Sequence, residues 1–155
     1  MDTILVNNLV DETGAGLSVY FSTYPSYACL STHARYRFDI PDFYLQFNLE
    51  GLKSIVHTDD ELRFIVWHEV GHYIVFKELC YRDIALLSID KSLLLEKIAD
   101  SIAASHTSIE TALNVLKRIL YQQEENGWVD SYLKARIKSL RVLYRQELVA
   151  KYAVA

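Results

Sequence analysis

The chain has 155 residues, with 16 Lys and Arg against 20 Asp and Glu, for a formal charge of -4. That length fits a single domain over residues 1–155 that can bury a core without disulfides, and its weakly negative field does not gather polyanions, so no nucleic-acid partner is expected. No basic leader or long apolar stretch follows Met1, no run approaches the roughly 18 apolar residues of a membrane span, and Cys29 and Cys80 stand in no ligand spacing. The expectation is a soluble, unprocessed, cytoplasmic protein with reduced thiols and no membrane partner.

Residues 1–57 read as mainly β. They hold both prolines and three of the five glycines, and short β-rich runs fall at Ile4–Val6, Leu17–Thr23, Ala28–Leu30, Tyr36–Asp39 and Phe43–Leu49. The last run alternates, with Phe43, Leu45, Phe47 and Leu49 on one side and Tyr44, Gln46 and Asn48 on the other, as a half-exposed strand does. Its polar side is a candidate substrate-facing surface.

Residues 58–155 read as mainly α. Thr58-Asp59-Asp60-Glu61 is a capping box, and a helix of about 59–80 follows that is apolar nearly all round, through Phe64, Ile65, Val66, Trp67, Val70 and Ile74. A second helix begins near Ser88 or Asp90 and runs to Ser105. A third starts at the capping box Thr107-Ser108-Ile109-Glu110 and stops at Asn126-Gly127. Asp130 caps a fourth, with Leu133, Ile137, Leu140, Tyr144 and Leu148 on one stripe and Lys134, Lys138, Arg141 and Arg145 on another, read as a solvated face. The fold class is α+β, a sheet packed on the first of these helices, with three further helices after it.

That first helix carries His68-Glu69-Val70-Gly71-His72, an HExxH sequence. Residues four apart share a helical face, so the two imidazoles can share a metal while Glu69, beside them, takes a proton from water. Zinc with an open catalytic position takes three protein ligands, and an acid from the second helix completes the set. Glu96 and Asp100 lie one turn apart there, flanked by Ala99 and Ala103, which are small enough to let another helix approach. Glu96 is the better ligand and Asp100 the better carboxylate to accept a ring N–H and fix a tautomer, although the reverse assignment remains open. Gly71 costs roughly 1 kcal/mol against Ala inside a helix, which is understandable if a neighbouring backbone packs against it.

The stretch Arg63-Phe64-Ile65-Val66-Trp67-His68-Glu69-Val70-Gly71-His72-Tyr73, with Glu96-x-x-Ala99-Asp100-x-x-Ala103, resembles the ImmA/IrrE group of gluzincin metallopeptidases, which are similar in layout to the Ste24/HtpX peptidases. The resemblance covers about residues 43–104. It implies a small zincin-like domain with a twisted sheet over the motif helix, zinc held by His68, His72 and Glu96, Glu69 as general base, and Asp100 supporting a ligand. It also implies a hydrolase, an endopeptidase rather than an exopeptidase, with a protein or peptide substrate. Relatives are often phage- or mobile-element-encoded and cleave or otherwise inactivate repressor proteins, so the substrate implied is a regulatory protein. The chain departs from the pattern at Lys97-Ile98, where many relatives have a second glutamate, and lacks the proline common after the acid helix.

Peptide hydrolysis also needs a donor for the oxyanion, and Tyr73, Tyr81, His106, Tyr121 and Tyr132 are all eligible by type. His33 and His57 read as turn or surface residues. Two functions stand side by side: a zinc peptidase that takes an extended chain by main-chain pairing along Phe43–Asn48, and a zincin-like module that keeps zinc for stability and acts by binding a partner.

Overall fold

The computed structural model describes residues 1–33, 42–78, 89–128 and 130–153. Within them lie α1 (Thr3–Glu12), β1 (Ser18–Phe21), β2 (Ala28–His33), β3 (Asp42–Phe47), α2 (Leu49–Ile55), α3 (Asp59–Glu78), α4 (Ile89–His106), α5 (Ile109–Glu125) and α6 (Ser131–Ala153). The fold is α+β and mostly helical, and among the described residues no helix is long and apolar enough to cross a membrane. The expected strand at Tyr36–Asp39, together with Cys80, Tyr81 and the side chain of His33, lies outside the described residues.

Among the described residues of 1–57 there is as much helix as strand. Ile4–Val6 is not a strand but the first turn of α1, where the Asp2 carboxylate accepts the N–H of Leu5 at 2.9 Å and caps the helix. Val6, Leu9 and Val10, spaced three and four apart, bury one face of that helix in the core. The Phe43–Leu49 strand ends at Phe47, because Asn48 turns the chain into α2. Its Oδ1 accepts the N–H of Gly51 at 3.0 Å, while its Nδ2 donates to the carbonyls of Thr23 and Pro25. A Cβ on Gly51 would sit 1.8 Å from the carbonyl oxygen of Ser26, so only glycine lets α2 pack against the turn that enters β2.

The sheet order is β1-β3-β2, with β1 parallel and β2 antiparallel to β3. Leu45 and Phe47 of β3 are fully buried, as the alternation requires. The expectation that a substrate pairs along Phe43–Asn48 fails here, because β3 is the central strand and both its edges are taken. Its polar side is taken as well: Gln46 Oε1 accepts from Ser31 Oγ at 3.0 Å, and Tyr44 meets the Tyr20 ring edge-on. The edge strand on the side of the motif helix is β2, which packs along α3.

Thr58 caps α3 through its Oγ1, which accepts the N–H of Glu61 at 3.2 Å, and Glu61 reaches back to the N–H of His57 at 2.6 Å. The same carboxylate oxygen receives Arg118 Nη1 of α5 at 2.6 Å, and Arg118 also donates to the carbonyl of Ile55 at 2.9 Å. Glu61 thereby joins the end of α2, the start of α3 and the middle of α5. Burial pushes its carboxyl up, but Arg118 and the His57 N–H outweigh that and hold it below the usual carboxylate range. A depressed folded value means the stabilisation is complete above the unfolded pKa and disappears as pH falls through the folded one. Glu61→Ala should therefore cost about 3 kcal/mol at neutral pH, since it leaves Arg118 without its carboxylate. In urea melts the gap between wild type and Glu61→Gln should close as the pH drops below about 4. A gap that does not change with pH would show that the pair contributes only packing.

Candidate metal centre

Three helices and one strand edge build the site. His68 and His72 project from one face of α3, and Glu96 and Asp100, likewise four apart, project from α4, which packs along α3. The close approach has a visible cause: a Cβ on Gly71 would lie 3.1 Å from Ala99 Cα and 3.4 Å from Ala99 Cβ. Gly71 and Ala99 thus let the two backbones draw together and bring the acids to the imidazoles.

The resulting distances are uniform. His68 Nε2 lies 3.2 Å from His72 Nε2 and 3.4 Å from Glu96 Oε2, and His72 Nε2 lies 3.3 Å from Glu96 Oε1. Ligand bonds of about 2.0–2.2 Å to zinc in tetrahedral geometry place neighbouring donor atoms roughly 3.3 Å apart, so these three side chains fit three corners of such a site. Among the described residues this trio is the one His/Cys/Asp/Glu group able to hold a metal ion.

Asp100 stands behind His68, its Oδ1 3.0 Å from Nδ1, and that nitrogen has no well-aligned hydrogen bond of its own. Asp100 is 1 % exposed, and a carboxylate buried so deeply needs a counter-charge. Arg136 of α6 supplies it: Nε donates to Oδ2 at 2.8 Å and Nη2 to Oδ1 at 2.7 Å, and Nη1 reaches Glu96 Oε2 at 2.9 Å. One guanidinium thus grips both acids of α4.

Burial raises the carboxyls of Glu96 and Asp100, but the imidazoles and Arg136 outweigh it and hold both acids well below the carboxylate range. On His68, burial and the charge of Arg136 act downward, and the two acids overcome them to push it up to about 9. The field that keeps a proton on His68 is the field that attracts a dication, so metal entry displaces a proton.

Glu69 is not among the three donors. Its Oε2 accepts the backbone N–H of Leu30 at 2.8 Å, which ties the carboxylate to the edge of β2. A cleft of about 580 Å³ lies over these residues, within the size range of ligand sites. His68, Glu69, His72, Glu96 and Arg136 all line it.

The other expectations divide. Of the described oxyanion candidates only Tyr132 lines the cleft. Tyr73 packs edge-on against Phe43, Tyr121 is 61 % exposed, and His106 stacks on Trp67 with ring centroids 3.4 Å apart. Cys29 is a half-buried thiol whose Sγ lies 3.2 Å from Ser31 Oγ. Lys134, Lys138, Arg141 and Arg145 are exposed, and so is His57.

Arg136 is the residue that sequence reasoning missed. Its signal was its position: it lies on the buried stripe of α6 between Leu133, Ile137 and Leu140, where a charge has no reason to be unless it meets one.

No family model, no curated protein and no solved structure matches the chain.

Proposed function

We propose that the chain is a zinc-dependent peptidase of the zincin type that cleaves a protein substrate, as its resemblance to the ImmA/IrrE group implies. The observation that carries this reading is the set of His68, His72 and Glu96 donors at tetrahedral spacing beside a carboxylate that is not needed to hold a metal. A purely structural zinc site closes its fourth position with a protein ligand, whereas a catalytic one leaves it open. Here all three donors and Glu69 line one cleft.

Zinc held by His68, His72 and Glu96 would supply a Lewis acid for the scissile carbonyl and lower the pKa of water. The chain's own residues do the rest. Glu69 takes the proton of the attacking water and passes it to the leaving amine nitrogen as the C–N bond breaks, leaving a carboxylate and an amine. The Leu30 N–H keeps Glu69 aimed from the strand edge, and Asp100 and Arg136 keep His68 and Glu96 in place. Tyr132, at the cleft, is the best-placed described candidate to steady the oxyanion.

In the competing reading the domain keeps its metal for stability and acts by binding. An acid at position 69 set toward an open cleft favours hydrolysis. A regulatory protein as substrate belongs to the same proposal and rests on the resemblance alone, while cytoplasmic location rests on the isolated Cys29 and Cys80 read as reduced thiols. Elemental analysis of protein purified without chelator should find one zinc per chain. A chain that takes up no zinc, and whose melting temperature does not move when zinc is added, would remove the basis of the proposal.

A further inference from the structure

We propose that the cleft selects polypeptides with a bulky apolar side chain next to the scissile bond, and that Ile119 on α5 sets this preference. The inference rests on the peptidase reading and adds a substrate class to it.

The two walls of the cleft differ in chemistry. One is main chain. The carbonyl of Tyr27 accepts the N–H of Asn48, and Cys29 pairs with Gln46, so in an antiparallel ladder Tyr27, Cys29 and Ser31 turn their polar groups toward β3. Ala28 and Leu30 turn theirs away, and the Leu30 N–H does meet Glu69 from that side. A sheet edge of this kind binds an extended backbone without regard to its side chains.

On the side of α5 and α6 the lining is mainly apolar, with Leu116, Ile119 and Leu133 beside Gln123 and Asp130, and Phe64 of α3 lines the cleft as well. Leu116 and Leu133 are 1 % and 2 % exposed, whereas Ile119 is half-buried, so an entering side chain meets Ile119 first. This wall lies close to the metal ligands. Phe64 is one turn before His68, with ring centroids 6.2 Å apart, and Leu133 is one turn less a residue before Arg136, which holds Glu96. A helical turn advances about 5.4 Å, so the wall begins within one side chain's length of the donors.

An extended peptide advances about 3.3 Å per residue and alternates its side chains. With a carbonyl at the donor cluster and its backbone along β2, one neighbouring side chain falls against Ile119. Charge argues for the same occupant. Arg136 is the sole Lys or Arg among the described residues that line the cleft, and Asp100 and Glu96 already engage it, so these residues offer an acidic side chain no counter-charge.

The test uses zinc-binding probes, so it needs no turnover. Acetohydroxamate and hydroxamates bearing an isobutyl or benzyl group are titrated into zinc-loaded wild type, Ile119→Asn and Ile119→Trp, with zinc content and melting temperature recorded for each. Burying one such group should make the substituted probes bind wild type on the order of ten-fold tighter or more. Both variants should lose most of that advantage while acetohydroxamate binds all three proteins alike. Ile119→Trp fills the same space with apolar volume, so it carries the test if the asparagine variant does not fold.

Equal affinities for all probes in wild type, or an advantage that survives both substitutions, overturns the proposal. The two readings fail differently. A protein that shows the probe preference but cleaves no polypeptide refutes the peptidase and keeps the pocket; one that cleaves without preference does the reverse.

Discussion

Glu96→Ala should abolish zinc occupancy, while Asp100→Ala should weaken affinity by about 10- to 100-fold and leave a site that zinc still fills. The asymmetry follows from the distances. Both oxygens of Glu96 face the imidazole nitrogens that face each other, at 3.4 Å from His68 and 3.3 Å from His72, so removing Glu96 leaves two donors and an open corner. Of the three donor side chains Asp100 meets only His68, at its far nitrogen, and would act on a metal through that ring.

The Asp100 variant carries a second penalty, because Arg136 loses a bidentate partner in a buried place, at a cost of about 3 kcal/mol. Asp100→Asn, which keeps the volume and one acceptor, separates the two effects. Zinc content and chelator competition should be measured on the folded fraction. If Asp100→Ala loses the metal outright and Glu96→Ala keeps it, the roles of the two acids are reversed.

The candidate site was largely legible in the sequence because its residues obey local periodicity. His68 and His72, and then Glu96 and Asp100, are each pairs four apart on one helix, and the small residues Gly71 and Ala99 announced the helix contact that joins them. Arg136 was not legible in that way. It reaches the site from a helix 36 residues beyond Asp100, and only tertiary packing makes that meeting. The helical half followed its signals to within a residue: α5 stops at Asn126 as expected, but its cap is Ser108, one residue after the Thr107 that opens the expected capping box.

The amino-terminal half was read less well, for a physical reason. Ile4-Leu5-Val6 has high β-propensity, but propensity of that kind yields to burial pattern, and the Val6, Leu9 and Val10 spacing behind an Asp2 cap was the better guide. Asn48 was taken as one more strand residue because alternation alone cannot show that its side chain caps the next helix. Strand order lay further out of reach. The cleanest alternating strand, β3, turned out to be central, which leaves β1 and β2 as the outer strands of the described sheet.

Glu69→Gln should reduce turnover on the order of 10²- to 10⁴-fold while leaving zinc and fold intact. Two features of the structure make this substitution clean. Glu69 is not among the donors at tetrahedral spacing, so zinc stoichiometry should hold. Its Oε2 serves the fold by accepting the Leu30 N–H, and the amide oxygen of glutamine accepts the same bond, so the melting temperature should stay within a few degrees. What glutamine cannot do is take a proton from water. Generic substrates such as casein are a poor readout for a peptidase with a selective cleft, so wild type and Glu69→Gln should be compared in the native host for a protein fragment that appears only with the acid. Suppose instead that every cellular effect survives Glu69→Gln and disappears on charge reversal in the exposed stripe of α6, for example Lys138→Glu. The domain would then work by binding, and the arrangement around Glu69 would be a scaffold rather than a catalyst.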